Sequence, residues 1–154
     1  MASAKPDEFT LVLNAGSSSL KYALFDRGVK AVFKGHVDGI GKDECHLRIV
    51  VGQQPEIIER FHADDHVHAV LKAVHSLKSY GVIKEYKQVK KVGHRIVHGG
   101  EKFAKPVKLS PAVIKKVKSL CVLAPLHNPP ALAGILACKR LLSKSVQYGV
   151  FDTA

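Results

Sequence analysis

LVLNAGSSSLKYALFD, residues 11–26, divides into two short apolar runs around a small polar turn. Leu11, Val12 and Leu13 form the first run, which ends at Asn14. Residues 20–25 form the second, which leads to Asp26. Between them lie Ala15, Gly16, Ser17, Ser18 and Ser19. Runs of this length bounded by Gly and Ser read as strands. The turn offers backbone N–H groups, three hydroxyls and a carboxamide, with Lys21 just behind it. Small residues let backbone donors come close to an anion. The spacing to the lysine is not that of a Walker A loop, and no helix signal follows. On these residues alone, a phosphate cradle and a plain polar β-hairpin loop are equally good readings.

Working outward, residues 29–37 read as a third strand beyond a turn at Arg27-Gly28. Residues 46–51 and 57–61 continue the β pattern on either side of Gly52-Gln53-Gln54-Pro55. Asp64 or Asp65 can cap a helix in which Val67, Val70, Leu71, Val74 and Leu77 recur at helical spacing, with Gly81 as its stop. His62, Asp64, Asp65, His66 and His68 are ligand-type residues. On a helix, however, His66 and His68 point to different faces, so a capped surface helix outweighs a metal site. Residues 89–97 read as the next strand, closing on His98-Gly99-Gly100. Ser110-Pro111 starts a helix with Val113, Ile114, Val117, Leu120 and Cys121 on its apolar face. Asn128-Pro129-Pro130 opens a third, with Leu132, Ile135, Leu136 and Leu142 as expected core. Residues 146–151 form the last strand, and Asp152 follows it.

Strands first, then helix–strand alternation, predict an α/β domain with a mixed sheet. Residues 1–9 read as a tail and 10–154 as the domain. At 154 residues with 46% apolar content, the chain can bury a real core. No apolar run reaches the roughly 18 residues that cross a bilayer, and residues 1–10 lack a signal-peptide core. No membrane partner is expected. Cys45, Cys121 and Cys138 are odd in number and widely spaced, which fits neither a disulfide framework nor a zinc site. A reducing cytoplasm is the expected setting. The net charge of +11 raises nucleic acid as a partner. Yet the lysines are spread along the chain without aromatic interleaving, so a solvated basic face is the better reading and no nucleic acid is expected. Such a field also draws in small anions.

Three further stretches join the first: VGHRIVHGGEKF at 92–103, LAPLHNPPALAGI at 123–135 and GVFDTA at 149–154. With NAGSSSLKY they resemble, in order, the amino-terminal half of the acetate kinase family. The resemblance spans nearly the whole chain. It implies the ribonuclease-H-like mixed sheet with flanking helices of the acetate and sugar kinase, chaperone and actin superfamily. It also implies phosphoryl transfer between ATP and acetate, giving acetyl phosphate and ADP, with Mg2+ or Mn2+. Relatives acting on propionate or butyrate share much of the pattern.

Carried over residue by residue, the resemblance places Asn14 near the metal and phosphates. It gives Ser17, Ser18 and Ser19 to the phosphate cradle and Lys21 to the nucleotide. Arg95 becomes the substrate residue, because a guanidinium can hold a carboxylate or phosphate through two parallel hydrogen bonds. Read without the resemblance, Arg95 is a structural ion-pair residue. Val97 and Leu126 match the pocket for the acetate methyl group, and Val97 shares the face of Arg95. Asp152 matches the catalytic aspartate. Acetate arrives ionised, since free carboxylates titrate near pH 4, so it has no proton for Asp152 to remove. Asp152 is expected to orient metal, water or Arg95. His94, His98 and His127 are given no proton transfer.

The family pattern continues beyond FDTA into a carboxy-terminal nucleotide domain with no counterpart here. The chain is therefore expected to be inactive alone, with that domain as its partner; a homodimer is also allowed. A non-catalytic module binding small carboxylates or phosphate is the alternative.

Overall fold

The structure is a computed structural model that describes residues 8–97, 105–122, 124, 125 and 128–152. Strand β1 (Phe9–Ala15) and strand β2 (Ser19–Phe25) form the expected hairpin. The first strand starts at Phe9, inside the segment read as a tail, because that ring is buried. Strands β3 (Ala31–Asp38), β4 (Cys45–Val51) and β5 (Ile57–Phe61) extend the meander. Residues 29 and 30 stay outside β3: Val29 adopts φ 62° in the preceding turn, a left-handed geometry uncommon for a β-branched residue.

Helix α1 (His66–Ser79) follows, capped by Asp65, whose carboxylate accepts the His68 N–H at 2.9 Å. Gly81 at φ 75° lets the chain leave the helix. Next come β6 (Val89–Ile96), β7 (Val107–Lys108), α2 (Pro111–Ser119), α3 (Asn128–Leu141) and β8 (Val146–Phe151). The two-residue β7 was not anticipated, since so short a strand has no period to read.

The eight strands form one sheet in the order β5-β4-β3-β2-β1-β6-β8-β7. The meander and the β7–β8 pair are antiparallel, while β1, β6 and β8 run parallel. The expected mixed sheet is thus present. Alternation decides what each strand buries. Leu11, Leu13, Leu20, Tyr22, Leu24, Phe33, Val37, Leu47 and Ile49 are buried on one face. Helices α1 and α3 cross this face and pack on each other, with α2 against α3 beside Ile96 and Phe151. The opposite face carries no helix among the described residues, and Val12 there is 40% exposed.

One core expectation fails. Leu136 is 45% exposed, because α3 buries Ala131, Gly134, Ile135 and Cys138, a stripe of three- and four-residue steps. Leu136 lies off that stripe.

Candidate functional site

The parallel strands β1, β6 and β8 end on the same edge of the sheet, the usual place for ligands in such sheets. Asn14 stands near the end of β1, directly across from Lys21 on β2, so both side chains share the uncovered face. On β6, Leu13 pairs with His94, which puts Arg95 one step further, beside Asn14. Phe151 pairs with Ile96, and the Asp152 N–H donates to the Ile96 carbonyl at 3.0 Å, which brings Asp152 alongside. Asn14, Ala15, Gly16, Ser19, Lys21, Arg95, Val97 and Asp152 line a cleft of about 420 Å³.

Arg95 is the centre of that cleft. Its Nε donates to Asp152 Oδ1 at 3.0 Å and its Nη2 to Oδ2 at 2.7 Å, a two-pronged ion pair. Nη1 reaches Asn14 Oδ1 at 3.4 Å. The hydrogen bond and charge of Asp152 raise the guanidinium pKa above its usual value. The pair is open to solvent, where such bridges contribute about 0–1 kcal/mol. Arg95 can therefore exchange one carboxylate for another at little cost.

The residue behind Arg95 is its opposite. His94 is buried under α3, and its Nε2 lies 2.5 Å from Gln147 Oε1. Gln147 Nε2 donates to the Ile135 carbonyl at 3.2 Å, so its oxygen faces the ring and His94 Nε2 carries the proton. Burial lowers the His94 pKa to about 4, partly opposed by that hydrogen bond. Gln147 lies outside every motif of the sequence; the signal the sequence offers is a lone glutamine within the run VQYGVF.

The serine turn is closed by its own backbone: the Gly16 N–H donates to the Ser19 carbonyl at 2.9 Å. A Cβ at Gly16 would lie 2.7 Å from Ser19 Oγ, so any larger residue there would force that hydroxyl to turn. Ser19 lines the cleft, whereas the exposed Ser17 and the half-buried Ser18 do not. Leu126, with His98 and His127, lies outside the described residues.

A divalent metal would find hard oxygen donors in the Asp152 carboxylate and the Asn14 carboxamide. No group of three His, Cys, Asp or Glu side chains gathers among the described residues. Two protein oxygens fit Mg2+, which keeps most of its waters and takes the rest of its shell from phosphate.

Comparison with known proteins gives this geometry a class. A crystal structure of acetate kinase from Porphyromonas gingivalis matches with a TM-score of 0.89 at 41% identity, over 96% of this chain and 38% of that one. A propionate kinase structure from Francisella tularensis matches with a TM-score of 0.84 at 30% identity, over 96% and 37%. The sheet with its flanking helices is that of the acetate and sugar kinase, chaperone and actin superfamily. A family model described as the Acetokinase family matches residues 9–154, and the chain belongs to that family. The acetate kinase of Carboxydothermus hydrogenoformans is 42% identical over 147 residues, covering 94% of this chain and 37% of the relative. This chain thus corresponds to the amino-terminal part of such proteins and spans little more than a third of their length. No helix among the described residues is long and apolar enough to cross a membrane.

Proposed function

We propose that this chain supplies the acyl-substrate pocket and part of the phosphate and metal site of an acetate kinase. In that reaction an acetate oxygen attacks the γ-phosphorus of ATP. The bond from phosphorus to the β-γ bridging oxygen breaks, and ADP leaves with the electron pair, yielding acetyl phosphate. The observation that carries the reading is Arg95, held between Asp152 and Asn14 at the ends of three parallel strands.

Arg95 would turn one or both prongs from Asp152 to the incoming carboxylate, with Val97 beside it against the methyl group. The same guanidinium can hold acetyl phosphate in the reverse direction. Acetate is already ionised at neutral pH, so Asp152 is given no proton to take. It holds Arg95 in place before substrate binds and would help hold the metal afterwards. When bound, Mg2+ supplies charge neutralisation at the phosphoryl oxygens; Asp152 and Asn14 are the residues that would face it. Lys21 and Ser19 line the same cleft, and the phosphate is assigned to them.

Phosphoryl transfer rests on positioned charge and exclusion of water, and much of both would come from the further length that the relatives carry. That carboxy-terminal domain is the proposed partner, ATP and ADP are the co-substrates, and the cytoplasm is the proposed location. Alone, the same cleft would act as a small-carboxylate or phosphate binder. Propionate differs from acetate by one methylene, worth about 1–3 kcal/mol in a pocket, so a propionate kinase is the neighbouring assignment.

A coupled assay with ATP, Mg2+ and acetate tests this, run on the chain alone and with a separately produced carboxy-terminal part of a relative. Activity only on mixing is the expected result. Full activity from the chain alone would overturn the division of labour. Calorimetric titration with acetate should show saturable binding that Arg95→Ala abolishes; unchanged binding in that variant would overturn the pocket.

A further inference from the structure

The turn between β1 and β2 is held from below by a residue fifty positions away. His66 opens α1, and its Nε2 lies 2.6 Å from the Gly16 carbonyl oxygen. A carbonyl only accepts, so this ring nitrogen carries the proton and donates. Two more carbonyls of the turn are taken as well. Ser18 accepts the Ile40 N–H at 3.0 Å, and Ser19 accepts the Gly16 N–H at 2.9 Å. Three carbonyl oxygens that would repel an anion are therefore engaged with protein donors.

The direction of the Gly16 carbonyl has a consequence for Ser17. In a trans peptide the C=O and the following N–H point opposite ways, and the described residues contain no cis bond. With the Gly16 carbonyl directed at His66 at the start of α1, the Ser17 N–H points the opposite way, away from that ring. Gly16 itself lines the cleft with Asn14, Lys21 and Arg95. Donors aimed in advance toward an anion bind it without having to reorganise.

We propose that His66 is a positioning residue for phosphoryl oxygens: by holding the Gly16 carbonyl it orients the serine turn as an anion cradle. His66 itself touches no ligand. The assignment rests on the phosphate role of the turn proposed above and names a residue outside all four motifs.

The test is a titration of the 154-residue chain with inorganic phosphate, followed by amide NMR at Ser17. Four variants accompany the unaltered chain: His66→Leu, His66→Asn, His66→Gln and Arg95→Ala. His66→Leu removes the donor, and His66→Asn is polar but too short to reach. Whichever of the two keeps the native spectrum should bind phosphate about five- to tenfold more weakly, the scale of one lost hydrogen bond, with a smaller response at Ser17. His66→Gln, which restores a donor of similar reach, should recover most of the affinity; a residue with a purely structural role would show no such link between donor and affinity. If His66→Leu or His66→Asn binds like the unaltered chain while Arg95→Ala does not, the assignment of His66 falls and the cleft stands. If the unaltered chain does not respond to phosphate at Ser17 or Lys21, the phosphate reading of the turn falls, and the role of His66 with it.

Discussion

His94 and Arg95 are neighbours in sequence and stand on opposite faces of one sheet. The first is buried, neutral and bound to Gln147; the second is open to solvent, charged and bound to Asp152. The same division runs along every long strand. Leu11 and Leu13 lie under the helices, whereas Val12 and Asn14 lie on the uncovered face. Below the helices, polar groups are few and matched: the Tyr22 hydroxyl meets Ser76 Oγ at 2.7 Å, and Ser76 donates onward to the Ala73 carbonyl. On the uncovered face an apolar floor of Val12, Ala23, Phe25 and Val50 is bordered by Lys21, Lys34, His36 and Arg48. One face holds the domain together, and the other is left uncovered among the described residues. The two-residue period of the strand is what lets one segment serve both ends.

The largest expected effect separates Leu11 from Val12. Leu11→Ala should cost about 2–5 kcal/mol, since the side chain is fully buried, while Val12→Ala should cost under about 1 kcal/mol. Urea unfolding measures both. Equal costs would mean that the uncovered face is packed in solution, against a second copy for instance.

The buried histidine should sharpen the contrast through pH. In the unfolded chain a histidine titrates near 6.5, whereas folded His94 stays neutral down to about 4. Between those values the unfolded state binds more protons. The contribution of His94 is therefore complete above about pH 6.5, is lost as pH falls toward 4, and amounts to about 3 kcal/mol. Stability curves of the unaltered chain and His94→Gln, measured from pH 7 to 4, should differ in slope over that window. Parallel curves would mean that the ring is not held neutral.

Gly35 should show how tightly the covered face is packed. A methyl group there would overlap the Tyr22 ring, so Gly35→Ala should destabilise by about 1–3 kcal/mol. In a Tyr22→Leu background most of that penalty should vanish, because the two sites share one space. A penalty that persists in the double variant would place the strain elsewhere.

These contrasts were partly legible in the sequence. The hairpin, all three helix starts and β8 follow from local rules: strand runs around a serine turn, Asp64 or Asp65 and then Ser110 as caps, and Asn128-Pro129-Pro130 as an opening; the structure selects Asp65. The motifs carried Asn14, Lys21, Arg95, Val97 and Asp152, which the sheet brings to one cleft although as many as 138 positions separate them. What escaped was set by tertiary contact. Leu136 has the right residue type for the core, but the face of α3 that packs is chosen by its neighbours. The contact from His66 to Gly16 joins a helix start to a turn fifty residues earlier, and no periodicity encodes such a pair. Arg95 fits both readings offered for it: it forms an ion pair in the structure, and that ion pair lies in the cleft where the substrate is proposed to bind.

The smallest effect on stability is expected where the effect on binding is greatest. Arg95→Ala breaks a solvent-exposed pair and removes a side chain that is about half exposed, so its stability should change by about 1 kcal/mol or less. Asp152 loses its partner but remains accessible to water, so no buried charge is stranded. Binding should respond quite differently, because no other guanidinium lines the cleft among the described residues. Lys21 presents a compact ammonium and cannot reproduce a two-pronged grip on a carboxylate. Acetate titration of Arg95→Ala should therefore give no saturable signal, while its urea midpoint stays close to that of the unaltered chain. Arg95→Lys discriminates further: charge alone would restore acetate binding, whereas a requirement for the planar fork would leave it weak. A marked loss of stability in Arg95→Ala would make the ion pair a structural clamp, and the division between the two faces would fail at the residue on which the functional reading rests.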